Sequence, residues 1–353
     1  MFPAEKCYKE QTVIEVKNIK KIYSDQVALR GLSFTAADGR IVGFLGPNGA
    51  GKTTAMNIMS GYMAPTEGTV KICGFDVAGE RKKAMEKVGY LPEIPPLYPE
   101  MTVSEYLCFA AALKGMKGRT AGTEAERLMK LTQTTDEAHR LIGRLSKGTR
   151  QRVAIAGTLA GSPKLLLLDE PANGLDPGQA AAFKKLLLEQ KRSGATIIVS
   201  SHILSGISAV CDEMLIVNRG RLIASGTSSF FEKKLSGDGG ISVDIAGTKE
   251  DCDNALASLK EVCKIIFKGK VPSGAMSFTL SGYKGDIRKE LFDCVAGAGL
   301  YIERLVTSEK TLEEIYLGMI SASEAEFENA RKRALERQAE RKEKGEDDED
   351  DLF

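Results

Sequence analysis

The residues most able to do chemistry sit in two short runs. The first is Gly46-Pro47-Asn48-Gly49-Ala50-Gly51-Lys52-Thr53, which fits G-x-x-x-x-G-K-[ST] at every fixed position. That spacing suits the grip of a polyphosphate. Glycines let the backbone fold closely enough to turn several N–H groups toward β- and γ-phosphates. The helix that the run opens, predicted over 53–60, adds about half a positive charge at its N-terminus. Lys52 supplies a full charge, and Thr53, with Thr54 beside it, offers a hydroxyl to Mg²⁺. A plain glycine-rich turn would need neither Lys nor Thr directly behind it. The second run is Leu165-Leu166-Leu167-Leu168-Asp169-Glu170-Pro171. An apolar strand delivers Asp169 to its carboxyl end, where open α/β sheets place ligands. Asp169 can hold Mg²⁺ directly or through water, and Glu170 is placed to polarise an attacking water. Read alone, this second run is equally a strand followed by an acidic turn; the first run weighs against that.

These side chains need a scaffold, and the chain has length for one. It has 353 residues, 42% apolar and 27% charged, with a formal net charge of +1. That composition is ordinary for a globular protein and gives no argument for nucleic-acid binding. Apolar runs at 12–16, 40–45, 165–168, 196–200 and 214–217 read as strands, several continuously apolar as in a parallel sheet covered on both faces. Between them lie helical segments such as 102–113, where Thr102 followed by Glu105 forms a capping box. No apolar run approaches the roughly 18–20 residues that cross a bilayer. The start, Met1-Phe2-Pro3-Ala4-Glu5-Lys6, has no apolar core of a signal peptide. The 7 Cys are scattered without C-x-x-C spacing, and there are 2 His. The expectation is reduced thiols and a cytosolic location, not a disulfide scaffold or a structural zinc site.

After the polar lead-in of 1–11, residues 12–235 form the first domain, with a helical insert at about 94–160. The turn-rich join Ser236-Gly237-Asp238-Gly239-Gly240 leads to a second unit over 241–320. Its order is β-α-β-β-α-β, the ferredoxin-like split βαβ. Its strands are expected around Ile241–Ile245, Cys263–Phe267, Met276–Leu280 and Leu300–Val306. Its helical stripes are Ala255, Leu256, Leu259 and Val262, then Ile287, Leu291, Phe292 and Val295. A last helix, 312–320, is expected behind a Ser308 cap. Residues 324–353 hold 12 Asp/Glu against 7 Lys/Arg, so 321–353 reads as a charged helical extension dissolving into an acidic coil, a solubilising tail without a specific partner.

Further motifs narrow the class. Leu145-Ser146-Lys147-Gly148-Thr149-Arg150-Gln151-Arg152 precedes the acidic run. Asn173-Gly174-Leu175-Asp176-Pro177 follows it, Ser200-Ser201-His202 ends the next strand, and Gly89-Tyr90-Leu91-Pro92-Glu93 lies between the first two. Over roughly residues 12–235 the set resembles the ATP-binding subunit of ABC transporters, and the stretch 91–103 with the Leu-Ser-Lys-Gly signature resembles the ABC-2 type exporters. The fold implied is a P-loop NTPase of the ABC type with a helical insert, followed by the small ferredoxin-like α+β domain. The resemblance puts Tyr23 at the adenine-stacking position; an edge-strand tyrosine is the plainer reading. Ser146 and Gly148 match the signature that binds the γ-phosphate of ATP held by a second protomer; a plain helix cap is the alternative for Ser146. His202 matches the switch histidine that touches the γ-phosphate and the water, against a merely buried histidine, and Asp176 matches the D-loop residue that reads the partner's site. Glu93 stands where many relatives carry Gln in a loop that touches Mg²⁺ and faces the membrane partner. Lys147 and Thr149 also depart from the commoner Gly and Gln.

The resemblance implies a mechanism. Two chains, as a homodimer or heterodimer, close head-to-tail on two ATP molecules with Mg²⁺, Glu170 acts as general base, and the closing motion passes to separate membrane permease subunits. The chain would then sit peripherally on the inner face of the cell membrane. An ATPase acting on ribosomes or DNA is the main rival. Translation factors of this class carry two cassettes in one chain, and the interval from Thr53 to Leu145 leaves no room for the long coiled coils of the DNA-repair members. An unrelated P-loop kinase would leave the signature and His202 unexplained. The second domain reads as an accessory unit or a small-ligand regulator.

Overall fold

The computed structural model describes residues 12–343 apart from 25, 236–239, 284 and 309–311. The lead-in, most of the turn-rich join and the acidic terminal run fall outside those residues. The chain divides into two compact units, one of residues 1–227 with 320–353 and the other of residues 228–319.

In the first unit the chain runs Thr12–Tyr23 (β1), Gln26–Ala37 (β2), Ile41–Leu45 (β3), Lys52–Met59 (α1), Glu67–Ile72 (β4) and Phe75–Asp76 (β5). It continues with Arg81–Glu86 (α2), Val88–Leu91 (β6), Val103–Leu113 (α3), Arg119–Leu131 (α4), Lys147–Thr158 (α5) and Leu165–Leu168 (β7). Pro177–Arg192 (α6), Thr196–Ser201 (β8), Leu204–Ile207 (α7), Glu213–Asn218 (β9) and Arg221–Gly226 (β10) complete it. One sheet has the order β10-β9-β3-β8-β7-β6. Its inner pairs are parallel, in register Leu45 to Ser201 and Leu168 to Val199, and only β10 runs antiparallel to its neighbour. β3, β7 and β8 are buried at every position, the pattern of strands covered on both faces.

The expectation of a single mostly parallel core needs one correction. β1, read as part of it, belongs to a separate antiparallel sheet of order β2-β1-β4-β5. Its buried and exposed residues alternate over Ile14–Glu15–Val16–Lys17, as in a sheet with one wet face. The buried faces of the two sheets meet around α1, where Ile14, Leu29, Phe44, Met56, Ile72 and Leu215 share one core.

α3 shows how local chemistry fixes an element. Thr102 Oγ1 accepts from the Glu105 N–H at 3.3 Å, and Glu105 Oε2 accepts from the Thr102 N–H at 2.8 Å, closing a reciprocal cap. The backbone bond from Thr102, then its hydroxyl, holds the Glu105 carboxyl below its ordinary range. Val103, Leu107 and Ala111 form the buried stripe. Thr102→Ala is expected to cost about 1 kcal/mol and to lower Tm by about 2–4 °C. Thermal unfolding of the full chain reads this; an unchanged Tm would remove the cap from the account.

The second unit opens with Ser228–Leu235 (α8), followed by Gly240–Ala246 (β11), Lys249–Ala255 (α9), Lys264–Lys270 (β12), Met276–Ser281 (β13), Arg288–Gly297 (α10) and Tyr301–Ser308 (β14). The antiparallel sheet order β12-β13-β11-β14 is ferredoxin-like. Ile241, Val243, Ile245, Leu256, Leu259, Leu291 and Val295 fill its core. Three members of the expected stripes are not part of it: Ala255 is half-buried, and Val262 and Phe292 are 54% and 61% exposed. Val262 is the C-cap residue just past the 3-10 turn Ala257–Glu261, so the helical period that carries Leu256 and Leu259 inward has ended before it. Phe292 directly follows inward-facing Leu291, and adjacent helical residues do not share a face. Ser308 closes β14 instead of opening a helix; residues 309–311 lie outside the described ones. The last helix, Leu312–Glu343 (α11), continues without a break through 320 into the charged stretch, and its residues from 320 on belong to the first unit.

Candidate functional site

The parallel register makes the site. β8 lies between β3 and β7, so the segments leaving the carboxyl ends of these three strands emerge side by side. They are the glycine-rich loop, Asp169-Glu170 and His202. Gly51 N-caps α1 at φ 97°. A Cβ there would stand 2.8 Å from the Ala28 carbonyl oxygen and from Leu29 Cδ2, and one on Gly46 would stand 2.3 Å from the Val217 carbonyl oxygen. Only glycine fits both places.

Lys52 and Glu170 are buried, 6% and 7% exposed. Lys52 Nζ donates to the carbonyl oxygens of Gly46 (2.8 Å) and Pro47 (3.2 Å) and stands 3.4 Å from Glu170 Oε1. Glu170 Oε2 accepts from His202 Nδ1 at 2.9 Å. One carboxylate thus spans a lysine and a histidine, and its bond fixes Nδ1 as the protonated nitrogen, leaving Nε2 for other partners. Glu170 itself is held at φ +47°, a left-handed conformation that costs a non-glycine residue about 1–3 kcal/mol. Ser200 enforces it: the Glu170 N–H donates to Ser200 Oγ at 2.8 Å, and that hydroxyl donates to Asp169 Oδ1 at 2.5 Å. Sequence reading noted Ser200 only as part of the run ending in His202. No local signal marks it, because its two acidic partners stand about thirty residues upstream.

Asp169 is fully buried, and its Oδ2 has no hydrogen-bond partner. An orphaned carboxylate oxygen there is costly unless a cation or water meets it. Asp169 is not among the residues that line the cleft, but the next residue, Glu170, is, together with Thr53 and Glu93, and oxygen donors of this kind suit a hard divalent cation.

The cleft has a volume of about 840 Å³ and is lined by Tyr23, Asn48, Gly49, Gly51, Lys52, Thr53, Thr54, Glu93, Glu170 and His202 among the sequence candidates. It is also lined by Asn173, the first residue of the run ending in Asp176-Pro177, and by Gln26, Val27, Ala28, Arg30, Arg219 and Phe327, which carry no motif in the sequence. Tyr23 keeps 41% of its surface exposed, with its hydroxyl 3.0 Å from Met63 Sδ and Lys21 Nζ 5.3 Å from its ring centroid. Gly46, Pro47 and Ala50 support the loop through their backbone: the first two receive Lys52, and the Ala50 carbonyl accepts from Gly220 N–H at 2.9 Å.

Ser146, Gly148 and Asp176 do not line this cleft. Ser146 N-caps α5, its Oγ accepting from the Thr149 N–H at 3.2 Å and bonding the Thr149 hydroxyl at 2.9 Å. Thr149 thus completes the cap, and Gly148 is buried in the first turn. Asp176 caps α6 in a box with Gln179.

Comparison with known proteins agrees with this geometry. Residues 29–173 match the family model for ABC transporters. The chain is 31% identical over 310 residues to the uncharacterized ABC transporter ATP-binding protein YxlF of Bacillus subtilis (strain 168), covering 88% of this chain and 100% of that protein. It is 36% identical over 217 residues to the Nod factor export ATP-binding protein I of Burkholderia lata, covering 60% of this chain and 70% of that one. Among solved structures, an ATP-binding subunit of an ABC transporter aligns with TM-score 0.58 at 33% identity, over 63% of this chain and 93% of the other. An ATP-binding cassette solved as a dimer in a post-hydrolysis state with ADP and Pi aligns with TM-score 0.57 at 26% identity, over 61% and 98%. With a relative matched over its whole length and a cleft built from phosphate-gripping groups, the chain belongs to the ATP-binding subunits of ABC transporters and is an ATPase.

Proposed function

We propose that two copies of this subunit, or one copy and a similar subunit, close head-to-tail on two ATP molecules and drive export through separate membrane permeases. The observation that carries the reading is Glu170 held between Lys52 and His202 on the wall of a nucleotide-sized cleft. The backbone N–H groups of Gly49–Thr53 and the ammonium of Lys52 take the β- and γ-phosphates. Tyr23 offers a face to the base. Mg²⁺ fits Asp169, Thr53 and Glu93, and when bound it neutralises phosphate charge. Glu170 takes the proton of the attacking water as its oxygen bonds the γ-phosphorus and the bond to the bridging oxygen of ADP breaks. His202 Nδ1 orients the Glu170 carboxylate.

The N-terminus of α5, with Ser146 and Gly148, stands outside the cleft, which supports its use on the triphosphate of a second copy, with Asp176 beside it. No helix among the described residues is long and apolar enough to cross a membrane, so passage through lipid would fall to partner subunits. The inner face of the cell membrane, near Glu93 and the helices α3–α5, is the docking place we assign. Export and the ABC-2 reading draw support from the Nod factor export and linearmycin resistance relatives.

If each site needs two chains, specific ATPase activity rises with protein concentration and then saturates. A steady-state assay of the full chain over a wide dilution range tests this; a specific activity independent of concentration, in a chain monomeric throughout with Mg-ATP, would overturn the composite site.

A further inference from the structure

We infer that the C-terminal helix completes the nucleotide cleft, with Phe327 contacting the base or ribose of the bound nucleotide; this rests on the ATP site proposed above. The stretch after 320 is rich in charge, and Phe327 is the one aromatic between Tyr316 and Phe353. A solvated helix gains nothing from such a ring. The expectation of a merely solubilising tail therefore fails here: Phe327 is half-buried and lines the same cleft as Lys52 and Tyr23.

It is also fixed there. The guanidinium carbon of Arg219 lies 4.3 Å from its ring centroid, and that of Arg30 lies 5.4 Å away, both within cation–π range. Arg219 Nη1 stands 3.4 Å from Glu328 Oε1, and Asn218 Nδ2 donates to Ser323 Oγ at 3.4 Å. Ser323 and Phe327 are four residues apart and share one helix face.

The cleft wall mixes two chemistries. Lys52, Glu170 and His202 are groups for phosphates and water. Tyr23 and Phe327 are flat surfaces that suit a base, and at the corner of Phe327 the guanidinium groups of Arg30 and Arg219 stand over the ring. The corner is short of acceptors. Burial, then the neighbouring Arg221 and Arg219, lowers the pKa of Arg30, and the buried Arg30 Nε has no hydrogen-bond partner. Ribose hydroxyls or base nitrogens reaching this corner would supply acceptors. Stacking tolerates any base, so Phe327 sets affinity for nucleoside-bearing ligands more than choice among bases.

The test measures dissociation constants of Mg-ATP and of inorganic tripolyphosphate, by competition with a fluorescent nucleotide, for the full chain and its Phe327→Ala and Phe327→Trp variants. Loss of a stacking partner predicts that Phe327→Ala weakens Mg-ATP roughly 5–150-fold. Tripolyphosphate binding should be unchanged, and Phe327→Trp should restore ATP affinity. Unchanged ATP affinity in Phe327→Ala, or equal weakening of both ligands, overturns the inference, the second outcome showing that the helix only supports the fold. Lys52→Ala serves as the control: if it leaves both ligands bound as before, the site itself is misassigned. If it weakens both while Phe327→Ala weakens neither, only the role of Phe327 falls.

Discussion

Glu170→Gln is expected to lower ATP turnover by about 10²–10⁴-fold while leaving the nucleotide bound and the chain folded. The amide is nearly isosteric, and its oxygen can still accept from His202 Nδ1, which stands 2.9 Å from Glu170 Oε2. The backbone bond to Ser200 Oγ that holds the residue at φ +47° does not involve the side chain. What disappears is the group that receives the proton of water, together with the negative charge 3.4 Å from Lys52 Nζ. Lys52 is then freer to turn from Glu170 toward the phosphates, so affinity for Mg-ATP should hold or tighten. With hydrolysis blocked, nothing reopens the pair of chains, and the variant should elute as an ATP-dependent dimer in size-exclusion chromatography. A variant that stays monomeric and hydrolyses normally would remove Glu170 from the role of base.

Much of this site was legible because its chemistry depends on short-range order. The glycine-rich loop needs its residues in sequence, and the strands around it are buried on both faces, so Ile41–Leu45 and Leu165–Leu168 announce themselves as continuous apolar runs. In the second unit the alternation of Ile241, Val243 and Ile245 marked the first strand, and short apolar runs marked the other three. Features that depend on contacts between distant segments were not. The antiparallel partnership of β1 arises from pairing with β2 and β4, which no local period encodes. Ser200 matters through Asp169 and Glu170, about thirty residues upstream. Phe327 lay in a stretch whose composition reads as solvated, and its partner Arg219 stands over a hundred residues before it. Asp176, read only through its expected partner, also serves locally as the cap of α6.

The sharpest test of a site shared between chains uses two silent variants. Lys52→Ala removes a buried ammonium that bonds Gly46 and Pro47 and faces Glu170. It leaves a buried carboxylate without its cation, a change that costs about 3–5 kcal/mol when such pairs are broken. It also deletes charge-assisted bonds to phosphate worth about 1.5–3 kcal/mol each, so turnover should fall below detection. Ser146→Arg places a long cation at the N-cap of α5 and removes the acceptor of the Thr149 N–H. The cap costs about 0.5–2 kcal/mol locally, too little to unfold the unit, while the bulk obstructs an anion at that helix end. It too should be inactive alone, yet bind ATP, because Ser146 lies outside its own cleft. Mixed in equal amounts, the two chains rebuild one sound site in each mixed dimer: the loop of the Ser146→Arg chain faces the intact signature of the Lys52→Ala chain. The mixture should recover about a quarter of wild-type activity if pairing is random and the two sites act independently. Full activity of Ser146→Arg alone, or no recovery from two folded variants of which one binds ATP, would place the whole reaction within a single chain.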